Sequence, residues 1–411
     1  MLPRKSGDCR PGYVKVGKTT RHIFKLPSQP LCKLPKWHLN FVPLPILSPS
    51  KFSSQLARFS QLALLLSLSL TAASGQSQTP IAPQASALRL RVVGGLAELN
   101  QYTRNEEPFW SRELARLSQG KYSAEIVPFD RAGVPGSDML RMLQLGVMPF
   151  GTMLISALAQ QHPPYAAVDL AGLNPDMAAL KKNVATFRPF LEKELRQRHN
   201  VEMLALYVYP AQVVFCKRPF SGLAELAGRQ VRVSSATQAD FVSALGAIPV
   251  ATGFGQIMAN MSSGNTDCAI TGTMSGHTLG LHQVTSHIHS LPITWGLAVF
   301  GANKNAWSGL PPDLKALLSR ELPRLEAAIW LESERESAEG MACNTGIAQC
   351  KAAVKGSMVQ VLTTTNDERL RQQVFSGTVL PRWLARCGAA CNSVWNQTIA
   401  VNLMPPAPAK P

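Results

Sequence analysis

Strand-like and helix-like periodicities alternate along this chain, and that alternation limits the folds open to it. "LRLRVVGG" at 88–95 reads as a strand running into a glycine turn. "FWSRELARLSQG" at 109–120 follows, with Phe109, Leu114 and Leu117 on one helical face. "YSAEIVPF" at 122–129 is a second strand, and "GSDMLRMLQLG" at 136–146 a second helix with Ser137 or Asp138 as its expected cap. Such an order argues for a sheet of parallel strands covered on both faces. It resumes at "VEMLALYVY", at "GRQVRVSSA", and through "FVSALGA", "IPVATGF" and "FGQIMANMSSG". Late in the chain, "LPPDLKALLSRELPRLEAAIWLESERESAEGMACNTGIAQCK" carries an apolar stripe from Leu314 to Trp330, with a kink expected at Pro323. A helix of that length outruns one small domain, so it is expected to run across two. "ERLRQQVFSGTVLPRWLARCG" gives a last amphipathic helix.

The formal charge of +16 suggests nucleic acid or an anionic membrane as partner until its distribution is read. Residues 1–75 hold 11 of the 41 Lys and Arg but one acid, Asp8, which leaves 30 basic against 24 acidic residues beyond. The excess therefore sits in a segment that looks cleavable. Lys51 and Arg58 precede an apolar run of 12 residues, Leu62–Ala73, followed by small residues. That is too short to span a bilayer and of ordinary length for a signal-peptide core; a signal anchor or a buried helix is the rival reading. The preceding 50 residues are basic and Pro-rich, and no Met occurs between Met1 and Met139. Translation from a non-Met codon near Val42 or Leu47 is the expectation, which would leave residues 1–40 outside the true precursor.

Export alters what the cysteines mean. Beyond Cys9 and Cys32 stand Cys216, Cys268, Cys343, Cys350, Cys387 and Cys391, an even set that an oxidising compartment can pair in fifteen ways. Cys343 with Cys350 and Cys387 with Cys391 are close enough for local bridges, leaving Cys216 and Cys268 as expected buried thiols. Zinc would need CxxC or His–Cys spacings, which are missing. His277, His282, His287 and His289 cluster, with His287 and His289 on one strand face, but exposed turn and strand positions are the simpler reading. No metal and no cofactor is expected.

In "GRQVRVSSA", Arg232 stands between Val231 and Val233, where a guanidinium is costly to dehydrate without a partner. The stretch around it, from Pro219 to Gly272, resembles the DctP-like substrate-binding proteins of TRAP (tripartite ATP-independent periplasmic) transporters. The matching positions are Pro219, Leu226–Gly228, Arg232, Leu245–Gly246–Ala247, Pro249, Phe254, Gly264 and Asp267. "SQGKYSAEIVPFDRAGVPGSDMLRMLQLGV" upstream and "NKNAWSGLPPDLKALL" downstream are similar to further stretches of that family. Together these cover roughly Leu88 to Cys350.

The resemblance implies an α/β fold of the two-lobed periplasmic binding protein type (type II-like). Each lobe would be a mixed β-sheet flanked by helices, joined by hinge strands and a long connecting helix. The expected organisation is an extension (1–50), a signal peptide (51–75) and a linker (76–87). The first lobe (88–211) and second lobe (212–295) follow, then a return to the first with the long helix (296–336). C-terminal helices (337–411), with disulfides and a Pro-rich tail, would pack on the second lobe.

By the same resemblance, Arg232 makes a bidentate pair with a ligand carboxylate, a geometry Lys cannot reproduce. The family often adds a second arginine on the strand entering the second lobe, where this chain has Gln212. Thr271 stands where the family has Asn, and Ser235, three residues after Arg232, is expected to face the cleft. Phe254 would supply an apolar wall, while Asn100, Tyr102 and Trp295 are looser ligand candidates, with core packing the first expectation for Trp295. These departures favour a monocarboxylate over a dicarboxylate. The implied protein is no enzyme: it binds a small organic acid in the periplasm and delivers it, as a monomer, to a membrane permease, with no nucleic-acid partner. The competing reading is a secreted α/β, hydrolase-like enzyme, against which the chain has neither GxSxG nor HExxH. If export holds, N-terminal sequencing of a periplasmic fraction will find the mature chain starting near Gly75–Ser77; intact precursor in the cytosol would refute it.

Overall fold

The computed structural model describes residues 88–403. The extension, signal peptide and linker expected before residue 88, and the Pro-rich tail, lie outside the described residues. The strands in chain order are β1 (Leu88–Gly94), β2 (Tyr122–Pro128), β3 (Phe150–Leu154), β4 (Val201–Val208), β5 (Gln212–Cys216), β6 (Gln230–Val233), β7 (Ile248–Ala251), β8 (Cys268–Gly272), β9 (His287–His289), β10 (Leu297–Asn303) and β11 (Val359–Val361). They form two sheets, ordered β2-β1-β3-β10-β4 and β11-β9-β5-β8-β6-β7.

Both sheets are mixed. β1 runs parallel to β2 and β3, but β10 is antiparallel to β3 and to β4. In the second sheet β6 lies parallel to β7 and β8, while β5 is antiparallel to β8 and β9. The wholly parallel arrangement suggested by the alternation alone is thus corrected. The antiparallel partners are the strands at which the chain changes sheets and re-enters from the opposite end. Central strands read as the physics of two covered faces requires: every residue of β10 ("LAVFGAN") and of β8 ("CAITG") is buried.

Among the described residues, three segments pass between the sheets. Residues 209–211 lead from β4 to β5, and residues 290–296 return from β9 to β10. These two run side by side: Gln212 N–H donates to Thr294 O at 2.8 Å, Ile293 N–H to Gln212 O at 2.8 Å, and Tyr209 N–H to Gly296 O at 3.0 Å. The third is the helix Pro312–Thr345, which Pro323 interrupts by one donor but does not end. Its Trp330 indole donates to Leu206 O, its Ser333 hydroxyl to Val208 O, and its Asn344 amide to Thr273 O. One helix is therefore stitched to the end of β4 and to the segment after β8. Near the N-terminus neither Ser137 nor Asp138 caps its helix, since a short 3-10 turn, Gly136–Asp138, precedes Met139–Gln144 without a side-chain cap.

Cys343 pairs with Cys350 and Cys387 with Cys391. Cys216 and Cys268, expected as free thiols, are bonded to each other. They sit directly opposite across β5 and β8, a register that no spacing rule reveals at a sequence separation of 52. In the loop-entropy account that long loop is worth about 4 kcal/mol, against about 2 kcal/mol for the separation of 7 between Cys343 and Cys350. Replacing both Cys216 and Cys268 by Ala will therefore lower the urea midpoint more than the same change at Cys343 and Cys350. The reverse ranking would refute the pairing.

Candidate functional site

A cavity of about 530 Å³ opens between the sheets, at the ends of β6, β7 and β8. Its apolar wall includes Leu96, Leu99, Phe129, Leu154, Phe254 and Leu297. Among the described residues that line it, Arg232 is the one cation and Asp130 the one acid.

Arg232 is only 3% exposed. Its Nε and Nη2 donate to Thr252 O at 3.1 and 2.8 Å, and its Nη1 to Ile270 O at 2.8 Å. No carboxylate lies within ion-pair distance of it among the described residues. Burial alone pulls its pKa down, to about 10, so the group stays charged at neutral pH. A guanidinium has five N–H groups, and the carbonyls take three of them. One N–H on Nη1 and one on Nη2 are left without an acceptor among the described residues, on a residue that lines the cavity.

Gln212, at the start of β5, lines the same cavity. Its Oε1 accepts from Gln238 Nε2 at 2.7 Å and from Thr294 Oγ1 at 2.9 Å. Its Nε2 lies against Gly296, where an added Cβ would stand 2.5 Å from it. Phe254 and Thr271 also line the cavity.

The other sequence candidates lie elsewhere. Ser235 caps the helix Ala236–Ala244, accepting from Gln238 N–H, and lines a smaller recess of about 70 Å³ beside the cavity. Side chains of a strand alternate, so Ser234, two residues from Arg232, shares its face and lines the cavity instead. Asn100 donates to Glu336 on the long helix, and Tyr102 packs under the turn at Gly94. Neither reaches the cavity, because the chain turns at Gly94–Gly95 and the residues that follow directly, Leu96 and Leu99, form the wall. Trp295 is buried, its indole donating to Asn174 O, and the cavity residue is its neighbour Gly296. Asp169 fixes that step: its carboxylate accepts from the backbone N–H of Trp295 and of Gly296, while burial pushes its pKa up to about 7.

Sequence reasoning missed Tyr209, Ser156 and Gln160 as cavity residues. Tyr209 was within reach, since it precedes the Pro210 that ends β4. Ser156 and Gln160 belong to the helix Ile155–Gln161, which no motif singled out. Of the histidines, His277 and His282 stack at 4.7 Å, and buried His289 lies 3.5 Å from the Asp367 carboxylate. Among the described residues no group of three or more metal-ligating side chains gathers, and no helix is long and apolar enough to cross a membrane.

Gly296 has φ +76°, a left-handed conformation that costs a residue with a Cβ about 1–2 kcal/mol. Gly296→Ala will lower the unfolding free energy by at least that, read as a fall in the urea midpoint, and displace Gln212; an unchanged midpoint would mean that the crossing segment relaxes freely.

The profile of bacterial extracellular solute-binding proteins, family 7 (DctP), matches residues 97–374. No curated protein matches by sequence. Among solved structures, DctP7 of Bordetella pertussis, an extracytoplasmic solute receptor binding pyroglutamic acid, is 18% identical with a TM-score of 0.67, covering 76% of this chain and 99% of that one. A TRAP periplasmic solute-binding protein from Desulfovibrio salexigens, with bound orotic acid, is 16% identical with a TM-score of 0.66 over 75% of this chain and 96% of that one. One from Haemophilus influenzae, with bound L-gulonate, is 11% identical with a TM-score of 0.65 over 75% and 98%. These are two-lobed binding proteins rather than enzymes, and the architecture is shared. With more than half of its length matched by the profile, the chain belongs to the bacterial extracellular solute-binding proteins of family 7.

Proposed function

We propose that this protein is a periplasmic receptor that captures a small organic monocarboxylate between its lobes and hands it to the membrane permease of a TRAP transporter. The observation that carries the reading is Arg232: a buried cation without a carboxylate partner among the described residues, with two N–H groups unspent beside a cavity. A ligand carboxylate supplies both the missing charge and the two missing acceptors, in the planar geometry a guanidinium prefers. Gln212 Nε2 adds a neutral donor. A second carboxylate would meet no second cation, since Arg232 is alone among the described lining residues. The small acids bound by the similar receptors, pyroglutamic acid among them, are consistent with this class.

The lobes would close by rotation about the paired crossing segments, favoured by contacts that exist only in the closed state. The periplasmic location rests on the family and on the apolar run at Leu62–Ala73. A secreted hydrolase finds no support in the cavity, whose described lining has one acid, no histidine and no cysteine.

The test is Arg232→Lys against a panel of monocarboxylates led by pyroglutamate. Loss of the fork should weaken binding by about 1.5–3 kcal/mol, or some tenfold to over a hundredfold. Melting temperature without ligand should also fall, because the bonds to Thr252 O and Ile270 O are reduced. A lower melting temperature with an unchanged dissociation constant would make Arg232 purely structural and overturn the reading.

A further inference from the structure

We propose that Gln238, which touches no ligand itself, is a positioning residue that locks the amide of Gln212 with its NH₂ toward the cleft, making this contact a donor only. The inference rests on the carboxylate reading of the cleft and deepens it, since it assigns the polarity of the second ligand contact.

The orientation follows from a chain of hydrogen bonds that has one irreversible link. The backbone N–H of Ser234 can only donate, and it donates to Gln238 Oε1 at 2.8 Å. The Ser234 hydroxyl adds a second bond to the same oxygen at 3.1 Å. With its oxygen fixed there, Gln238 must present Nε2 on its other side, where it donates to Gln212 Oε1 and to Thr294 Oγ1, each at 2.7 Å. Thr294 has then accepted, and its own proton goes to Gln212 Oε1 at 2.9 Å. Two donors thus converge on Gln212 Oε1, and Nε2 is left beside Gly296 at the cavity. Turning the Gln212 amide over would set its NH₂ against the NH₂ of Gln238, losing a bond and creating a donor–donor contact.

Gln238 is 1% exposed, so water does not compete for these bonds. It is held from behind as well, because its backbone N–H is the donor that Ser235 caps. The consequence is chemical selectivity. The part of the ligand that meets Gln212 must accept a hydrogen bond, as a carboxylate or carbonyl oxygen does, and an ammonium group there is turned away.

Gln238→Glu tests this with a change of one atom, at pH 8 so that the introduced carboxyl is ionised. The carboxylate still accepts from Ser234 N–H, but its second oxygen now requires a donor, and Gln212 must turn to supply one. In the ligand-free protein, NMR should record a nuclear Overhauser contact between the Gln212 side-chain NH₂ and the Gly296 α-protons. That contact should vanish in Gln238→Glu and weaken in Thr294→Val, which exchanges only the hydroxyl for a methyl and serves if the first variant fails to fold. No contact in the wild type, or one that persists in both variants, would overturn the proposal whatever the ligand is.

With pyroglutamate, or the best binder of the panel, Gln238→Glu should weaken affinity at least tenfold. In a Gln212→Ala background the same change should matter less than about twofold, because the effect travels through Gln212. An undiminished effect there would mean that the new charge repels the ligand directly, and would overturn the positioning role. Failure of the carboxylate reading itself is distinguishable: it would leave Arg232→Lys without effect on affinity while the NMR contact survives.

Discussion

A buried guanidinium that meets no counter-anion among the described residues is the constraint around which the second sheet is arranged. Dehydrating a cation costs several kcal/mol even after relaxation, and carbonyl dipoles repay part of that. Sheet order determines which carbonyls are available. β6 lies between β8 and β7, with Arg232 opposite Ala269 on one side and Val250 on the other. The acceptors are Ile270 O, one residue further along β8, and Thr252 O, two residues further past β7. All three strands run parallel, so the cation and its carbonyls gather at their carboxyl ends. Ligands of open α/β sheets collect at that edge, because the chain leaves the strands there and opens a crevice.

The crevice and the connection between the sheets are made of the same residues. Gln212 and Thr294 pair through their backbones where the two crossing segments run side by side, and again through their side chains. Gly296 both follows the Asp169-bound turn and borders the cavity, and Tyr209 binds Gly296 O while lining the same space. Any rotation of one lobe against the other must therefore pass through residues that line the cavity. The long helix adds a third, stiffer tie, with Ser333 on Val208 O and Asn344 on Thr273 O fixing its two halves to different sheets.

What the sequence disclosed follows from where its signals are continuous. Arg232, Gln212, Phe254 and Thr271 line the cavity, and all lie in or next to the stretch where matching positions follow one another closely. Asn100 and Tyr102 depended on a single glycine turn, and they sit against the long helix and under Gly94 instead. The resemblance points Ser235 at the cleft, whereas strand geometry puts every second residue on one face, and Ser234 lines the cavity while Ser235 lines the recess beside it. Trp295 packs in the core, the role its bulk favours in the sequence as well, and the cavity edge is formed by Gly296, the residue without a Cβ. The Cys216–Cys268 bond was illegible because it depends on strand register, a tertiary property. The antiparallel strands β5 and β10 were hidden likewise, since periodicity reports an element and not its direction.

The two lobes bring unequal chemistry to the cavity, and this gives the proposed capture an order. The second lobe supplies the cation, the fixed amide of Gln212 and the Phe254 wall. The first supplies mostly surface: Leu96, Leu99, Phe129 and Leu154, with Ser156 and Gln160 as neutral polar groups and Asp130 as its acid. A carboxylate is therefore attracted by one lobe alone, over a range set by charge. The other lobe contributes chiefly by removing apolar area from water, which acts only on contact. In the proposed function the ligand pairs with Arg232 first and the first lobe then folds over it. Closing also excludes water from the pair, and a charge–charge interaction strengthens as its surroundings lose dielectric constant. In that proposal each step makes the next more favourable, so the small acid is held best in the closed form.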